Sequence, residues 1–381
     1  MKKEEKLKVY LVIPPVGDCG VGYYRQWLPL TKAKEKGEIE LVCQHFTWGE
    51  RGDETGKKQP TITEEDTYKY GEWADVIFFS RNDVPGYIAQ AGGMKEFFNK
   101  SVILDVDDNV QATRPFNPGY RSFHPNSPNM TWNIKSFGVY DGFIFSTQEL
   151  IDFYKKYGDK KKFYIYPNSL DFKRRDAVLE MDFSKSKLFK KKEGEIRIGW
   201  TGSSSHWENL KHIEKPLLDI LRKYPNTTFY YSGLFGELFN DEKLIKDKRI
   251  VKIPWSSLKE WAKVNREMNF DIALAPLTDN YFNRSKSNLR VLEYASAKYP
   301  VICSNVAPYR CFKDNKEVIF ATEKEEWYNA IEMLVNNPEK RQELANNLYN
   351  RAKKDYNVDK NYKILVKALK NIKKNFTSIK K

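Results

Sequence analysis

Short, unbroken apolar runs alternate with amphipathic stretches along most of the chain. Leu7–Ile13 (LKVYLVI) is closed by two prolines and then glycines, which predicts a buried first strand. A helix is predicted from Tyr23 to about Lys36, stopped at Gly37, and a second strand at Ile39–His45. The polar stretch 47–69 has little pattern. Ala74–Ser80 (ADVIFFS), Ser101–Val106 (SVILDV) and Gly142–Ser146 (GFIFS) read as three further buried strands. A helix over Thr147–Tyr157 and a strand at Phe163–Tyr166 follow them. Strands alternating with helical stretches predict parallel βαβ units, in an open sheet with helices on both faces.

Residues 172–194 are dense in Lys and Asp, lack a sustained apolar period and read as a basic linker. The pattern then restarts. Strands are predicted at Ile196–Trp200, Thr228–Ser232, Arg249–Ile253, Asp271–Ala275 and Val301–Ser304. Helices are predicted at His212–Lys223, Leu258–Glu267, Asn288–Ala297, 323–335 and 338–354, with Pro338 in a first turn. The expected organisation is an N-terminal Rossmann-like domain over 1–171, the linker, a second over 195–355, and a cleft between them. In the tail, 356–381, Tyr362, Leu365, Leu369, Ile372, Phe376 and Ile379 recur at helical spacing, with Lys363, Lys367, Lys370, Lys373 and Lys374 between them. Such a helix packs onto a domain or lies on an anionic membrane surface.

Composition narrows the function classes. The 381 residues suit two domains, and 40% hydrophobic with 30% charged residues excludes a disordered or integral membrane chain. No apolar run reaches the roughly 18 residues that span a bilayer, and the opening MKKEEKLKVYLVIPP is too short and acidic for a signal peptide. Cys19, Cys43, Cys303 and Cys311 lie far apart, which gives no zinc or disulfide framework and makes a reducing, cytoplasmic setting the expectation. Charge is uneven: residues 1–150 hold 18 Lys and Arg against 21 Asp and Glu, whereas the remainder holds 47 against 30. The basic excess at 151–200 and 351–381 either faces phosphates, in nucleic acid or anionic lipid, or is a solvated lysine-rich surface.

Glycines at strand-to-helix turns mark candidate chemistry. VGDCGVGYYR, with Gly17, Gly20 and Gly22, follows the first strand. Its spacing is not GxGxxG, so it is either a ligand-approaching loop or a tight turn. IRIGWTGSSSHWENL opens the second half, where Thr201, Gly202 and Ser203–Ser205 form a second anion seat without the ending of a P-loop. One such seat per domain points to a ligand at the strand ends. In DIALAPLTDNYFNRSKSNLRVLEYASAKYPVICSNVAPY, Lys286, Arg290 and Glu293 are expected along one side of a helix. The two cations suit a diphosphate and the carboxylate suits ribose hydroxyls. Asp105, Asp107 and Asp108 (ILDVDDNV) read as acceptor-binding or base carboxylates, as ligands for a divalent metal, or as turn caps. The loop 114–132, with Arg114 and His124, is either an acceptor contact or a rigid lid. His206 and His212 lie six apart, which is not a metal spacing.

These segments resemble GT-B glycosyltransferases of the GT4-like, group 1 kind over nearly the whole chain. GVGYYR is similar to a first-domain loop of that group. FST followed by YPNSLD is similar to its domain end, and IGWTGS, DIALAPL and KSNLRVLEYASAKYPVICS to its donor domain. The resemblance implies an α/β GT-B fold, two Rossmann-like domains facing across a cleft, with a C-terminal helix crossing back. It also implies a nucleotide-diphosphate sugar donor, UDP- or GDP-linked, with no metal or other cofactor required. Carried over, Glu293 binds the ribose, and Lys286 and Arg290 neutralise the diphosphate as it leaves. Thr201, Gly202, Ser203 and Asn288 line the donor seat, and Gly20 and Gly22 approach from the other side. Arg25, Asp105, Asp107, Arg114 and His124 fall on the acceptor side. In a retaining reaction the departing phosphate takes the acceptor proton, and in an inverting one Asp107 or Asp108 is the base. Two departures stand out: Ser285 occupies a position where many members carry a second acid, and the Thr/Ser cluster replaces a basic residue after the first strand of the second half. The expected activity is sugar transfer to a hydroxyl, on a cell-surface or lipid-linked glycan. The alternatives are a hydroxymethylated base in DNA, a silent nucleic-acid-binding protein on the same scaffold, or nucleotide-sugar epimerisation.

Overall fold

A computed structural model describes residues 5–12, 20–44, 63–80, 85–233, 239 and 241–377. Apolar runs covered on both faces by helices produce two parallel sheets. The first contains β1 (Leu7–Val12), β2 (Ile39–Gln44), β3 (Val76–Phe79), β4 (Ser101–Val106), β5 (Gly142–Phe145) and β6 (Phe163–Ile165), in the order β2-β1-β3-β4-β5-β6. The second contains β7 (Ile196–Thr201), β8 (Thr227–Ser232), β9 (Ile250–Ile253), β10 (Ile272–Ala275), β11 (Val301–Ser304) and β12 (Ile319–Ala321), in the order β12-β11-β10-β7-β8-β9. Chain direction across the sheet reverses between β1 and β3 and between β7 and β10. In open sheets the crevice for ligand lies beyond the strand ends at such points.

One apolar cluster runs through both lobes and the C-terminal helix, including Val9, Ile103, Ala273, Tyr294 and Leu365. The helix Val358–Asn375 crosses back onto the first lobe, burying Tyr362, Leu365, Leu369 and Ile372. Ile372 fills the space over Gly142, where a Cβ would overlap its side chain. Tyr362 Oη donates to Glu38 at 2.6 Å, and Lys373 pairs with Asp75 at 2.7 Å. The helix therefore spends its apolar face on the protein, which corrects the idea that this face lies on a membrane. Ile379 lies outside the described residues, as does Gly17. Among the described residues no helix is long and apolar enough to cross a membrane.

Other local expectations change. The segment 172–194 is not featureless: Asp171 caps a helix over Phe172–Leu179, and Val178 and Phe183 pack on Ala262. Helices at Glu64–Trp73 and Pro128–Val139 arise where polar residues obscured the pattern, the first started by a reciprocal Thr63/Asp66 cap. The first helix contains a π-helical turn at Tyr23–Trp27, which places Tyr24 and Arg25 at the interlobe face.

Candidate active site

Loops following β1, β4 and β6 on one side, and β7, β8, β9 and β10 on the other, line a cavity of about 660 Å³. That size fits a small organic ligand. Two glycines shape its floor. Gly202, just past β7, lies so close to Arg290 that a Cβ would sit 2.6 Å from both terminal guanidinium nitrogens. Gly233, past β8, has φ +91°, and a Cβ there would overlap the Gly202 carbonyl oxygen. Gly20 lines the opposite wall, where a Cβ would meet nothing within 4 Å.

Lys286, Arg290 and Glu293 all face this cavity. Arg290 and Glu293 lie on the helix Leu289–Ser296, whereas Lys286 precedes it in the turn after the short helix Tyr281–Arg284, so the three do not share one helix. The Arg290 guanidinium stacks over the Trp200 indole at 5.0 Å. Lys286 Nζ lies 3.5 Å from Asp108 Oδ1 on the other lobe and 4.5 Å from the Phe282 ring centroid. Two cations at the start of a helix, whose first amide groups point the same way, form an anion seat. Ser203 and Ser205 line it as well, their hydroxyls 2.7 Å apart.

Glu293 is the centre of a bridge between lobes. Its Oε1 accepts from Tyr24 Oη at 2.8 Å and from Trp261 Nε1 at 2.7 Å. Arg175 Nη2 in turn donates to Tyr24 Oη at 3.0 Å. Burial, followed by the Glu293 charge, raises the Tyr24 phenol well above its ordinary value, so it stays protonated and donates. Both of these bonds use Oε1, which leaves Oε2 as the oxygen for a ligand hydroxyl.

On the first-lobe wall Arg25, Asp107 and Asp108 line the cavity. Asp105 does not belong with them as an acceptor or metal carboxylate. It is fully buried, with Arg25 Nε 3.1 and 3.0 Å from its two oxygens and Nη2 2.7 Å from Oδ1. Burial raises Asp105 and Arg25 opposes the rise; burial lowers Arg25, and Asp105, Asp107 and Tyr166 together more than offset that, so it is raised. Arg25 also donates to the Tyr166 carbonyl. The pair is a buried brace joining the first helix to β4 and the end of β6. Because Asp105 turns inward, the three aspartates do not converge on one ion, and no such ligand group exists among the described residues.

Other sequence candidates lie elsewhere. The Asn288 side chain donates to Cys311 Sγ at 3.5 Å, away from the cavity, and Gly22 is buried within the first helix. The Thr201 amide and hydroxyl are both bonded to Tyr294 Oη, at 2.8 and 3.3 Å, so this threonine supports the floor. Arg114 makes a two-point ion pair with Glu208, beside a Phe116–Trp207 stack with centroids 6.1 Å apart; this is a second interlobe contact outside the main cavity. His124 stands near Tyr120 on the first lobe and does not line the cavity. Ser285, at the position of the missing acid, is buried; its carbonyl accepts from Thr147 Oγ1 at 3.0 Å and its hydroxyl from Asn109 at 3.4 Å. It joins the lobes.

Several cavity residues were not legible as such: Tyr24, Trp255, Trp261, Tyr309 and His206. Aromatic residues in an aromatic-rich chain give no warning. For His206, the only hint is a histidine three residues before an asparagine at a helix start after a glycine turn.

Comparison with known proteins bears on the fold. Residues 222–367 match the family described as glycosyl transferase-like. No curated protein matches the chain. Among solved structures, Anabaena HepE in complex with UDP-glucose is similar at 12% identity and TM-score 0.65, covering 95% of this chain and 99% of its own. A glycosyltransferase from Rickettsia africae is similar at 11% identity and TM-score 0.66, covering 97% and 99%. A UDP-forming α,α-trehalose-phosphate synthase from Burkholderia xenovorans is similar at 11% identity and TM-score 0.59, covering 97% and 99%. The fold is GT-B: two Rossmann-like lobes facing across a cleft.

Proposed function

We propose that this chain is a nucleotide-sugar-dependent glycosyltransferase that holds its donor in the interlobe cavity and passes the sugar to a hydroxyl acceptor. The observation that carries the reading is the convergence of Lys286, Arg290 and Glu293 on one cavity at the strand ends of both sheets. Breaking a sugar–phosphate bond builds negative charge on the leaving diphosphate. Cations and helix amides fixed there stabilise the transition state more than the ground state. Glu293 is assigned to the ribose hydroxyls, through the oxygen that Tyr24 and Trp261 do not occupy. UDP is the favoured nucleotide, supported by the UDP-glucose bound to HepE and the UDP-forming synthase, with GDP the second choice.

We assign retention to the reaction, with the departing phosphate oxygen taking the acceptor proton. Asp107 and Asp108 then orient the incoming hydroxyl, and Asp108 also holds Lys286. An acidic first-lobe wall suits a polyhydroxyl acceptor and repels a polyanion, which favours a cell-surface or lipid-linked glycan over DNA. The charged side of the C-terminal helix remains available for electrostatic contact with an anionic surface, although its apolar face is occupied. A cytoplasmic setting accords with the lack of a disulfide among Cys43, Cys303 and Cys311 in the described residues.

The test is a thermal-shift panel of UDP-, GDP-, CMP- and dTDP-sugars on wild type, Glu293→Ala and the Lys286→Ala/Arg290→Ala double variant. A ligand that binds only the folded state raises the melting temperature by mass action. One nucleotide class should raise the wild-type value and fail to raise the double variant. No shift from any class would sink the donor assignment.

A further inference from the structure

His206 lines the cavity at the end of the Ser203–Ser205 turn, yet the proposed chemistry leaves it without a role. It is 7% exposed and meets Trp200 edge-on, at 6.1 Å between ring centroids. Arg290 lies over the same indole. The histidine therefore sits in the wall that carries the diphosphate cations.

Which of its nitrogens bears the proton follows from its neighbours. His206 Nδ1 is 3.1 Å from Asn209 Nδ2. The Asn209 amide cannot be turned the other way, because its Oδ1 accepts from the Thr278 backbone amide at 2.9 Å and from Asn283 Nδ2 at 2.9 Å. Asn283 is fixed in turn by donating to the Thr278 carbonyl at 2.9 Å. Asn209 Nδ2 must therefore donate, His206 Nδ1 must accept, and the ring proton resides on Nε2. No described residue hydrogen-bonds Nε2. Burial, then the surrounding charges, favour a neutral ring: Arg290 and Lys286 face it, Glu208 on the adjoining helix is paired with Arg114, and Asp108 across the cavity is paired with Lys286.

We propose that His206, held in the Nε2–H tautomer by Asn209, is a donor that hydrogen-bonds the diphosphate of the sugar donor. This rests on the donor-site reading above. A neutral donor adds a directed bond to the developing charge without competing with the acceptor for a proton. Asn209 is the positioning residue.

Glutamine reproduces an Nε2–H donor, whereas asparagine reproduces the Nδ1 side. Binding of UDP-glucose and GDP-mannose to wild type, His206→Gln, His206→Asn and His206→Ala by titration calorimetry separates these cases. Loss of one hydrogen bond to an anion is expected to weaken binding about 10-fold in the Asn and Ala variants, with Gln within about 3-fold of wild type. Nitrogen-15 spectra of the free protein should show a His206 ring protonated only at Nε2 from pH 5.5 to 8. In Asn209→Asp a carboxylate faces Nδ1, so the ring should become doubly protonated and titrate within that range. An Nδ1–H tautomer in wild type, or Asn rescuing as well as Gln, overturns the inference while leaving the donor site standing. Failure of wild type to bind either probe overturns both.

Discussion

Tyr24 on the first lobe donates to Glu293 on the second at 2.8 Å, a bond between residues 269 positions apart. The carboxylate assigned to the ribose is thus held by the lobe opposite its own helix. Tyr24→Phe keeps the ring packing and removes the hydroxyl. Glu293 retains Trp261, so the expected loss is modest, about 1 kcal/mol or roughly fivefold in nucleotide-sugar affinity. Calorimetric titration measures it, and affinity equal to wild type would show that the bond does not orient Glu293.

Gly202 makes a sharper prediction. A methyl group there would sit 2.6 Å from both Arg290 terminal nitrogens and from a Trp200 ring carbon. Because the methyl meets both the guanidinium and the buried Trp200 ring, Gly202→Ala should cost about tenfold or more in diphosphate affinity and lower the melting temperature as well. A folded variant that binds as well as wild type contradicts the placement of Arg290 at the phosphate seat.

Asp105 tests the opposite assignment. The buried Arg25–Asp105 pair braces the first helix against β4, so its loss should appear in stability. Asp105→Ala strands a buried guanidinium, at a cost of about 3–5 kcal/mol in denaturant unfolding. Were Asp105→Ala to leave stability intact while abolishing acceptor use, the acceptor-binding role read from its sequence neighbours would be restored.

The strands were legible because parallel strands buried on both faces leave unbroken runs such as VIFF and IALA, and DIALA in particular placed the edge from which Lys286 and Arg290 project. β12 (Ile319–Ala321) was not anticipated, although it lies in an unbroken four-residue apolar run, Val318–Ala321, between Glu317 and Thr322. The helix at Glu64–Trp73 was obscured by its charge, although its Thr63/Asp66 cap is a local signal that composition hides. In the site, residue type identified the cations and Glu293. Which aspartate faces the cavity depends on the π-helical turn that brings Arg25 onto Asp105, and strand alternation alone does not predict that turn. Tyr24 and Trp261 reach Glu293 only through the packing of the two lobes, a relation with no sequence spacing to betray it.

His206 also leaves a signature in stability that requires no ligand. Burial first, then the charges of Arg290 and Lys286, hold its imidazole well below its ordinary value, so the folded protein keeps it neutral. In the unfolded chain it titrates near its ordinary value of about 6.5. Below that pH the unfolded state binds a proton that the native state refuses, so the free energy of unfolding decreases as pH falls. The stability contributed by the neutral ring is complete above about pH 6.5. It is lost toward the depressed native value at up to about 1.4 kcal/mol per pH unit. Urea unfolding of wild type and His206→Gln between pH 7.5 and 5.5 isolates this contribution, because the other titrating groups are common to both proteins and cancel in the difference. Wild type should lose stability relative to the Gln variant as pH falls, by about one proton's worth of slope. Parallel curves would mean that His206 takes up a proton in the folded state as readily as in the unfolded one, and the ring would then be a cation at the diphosphate rather than a neutral donor.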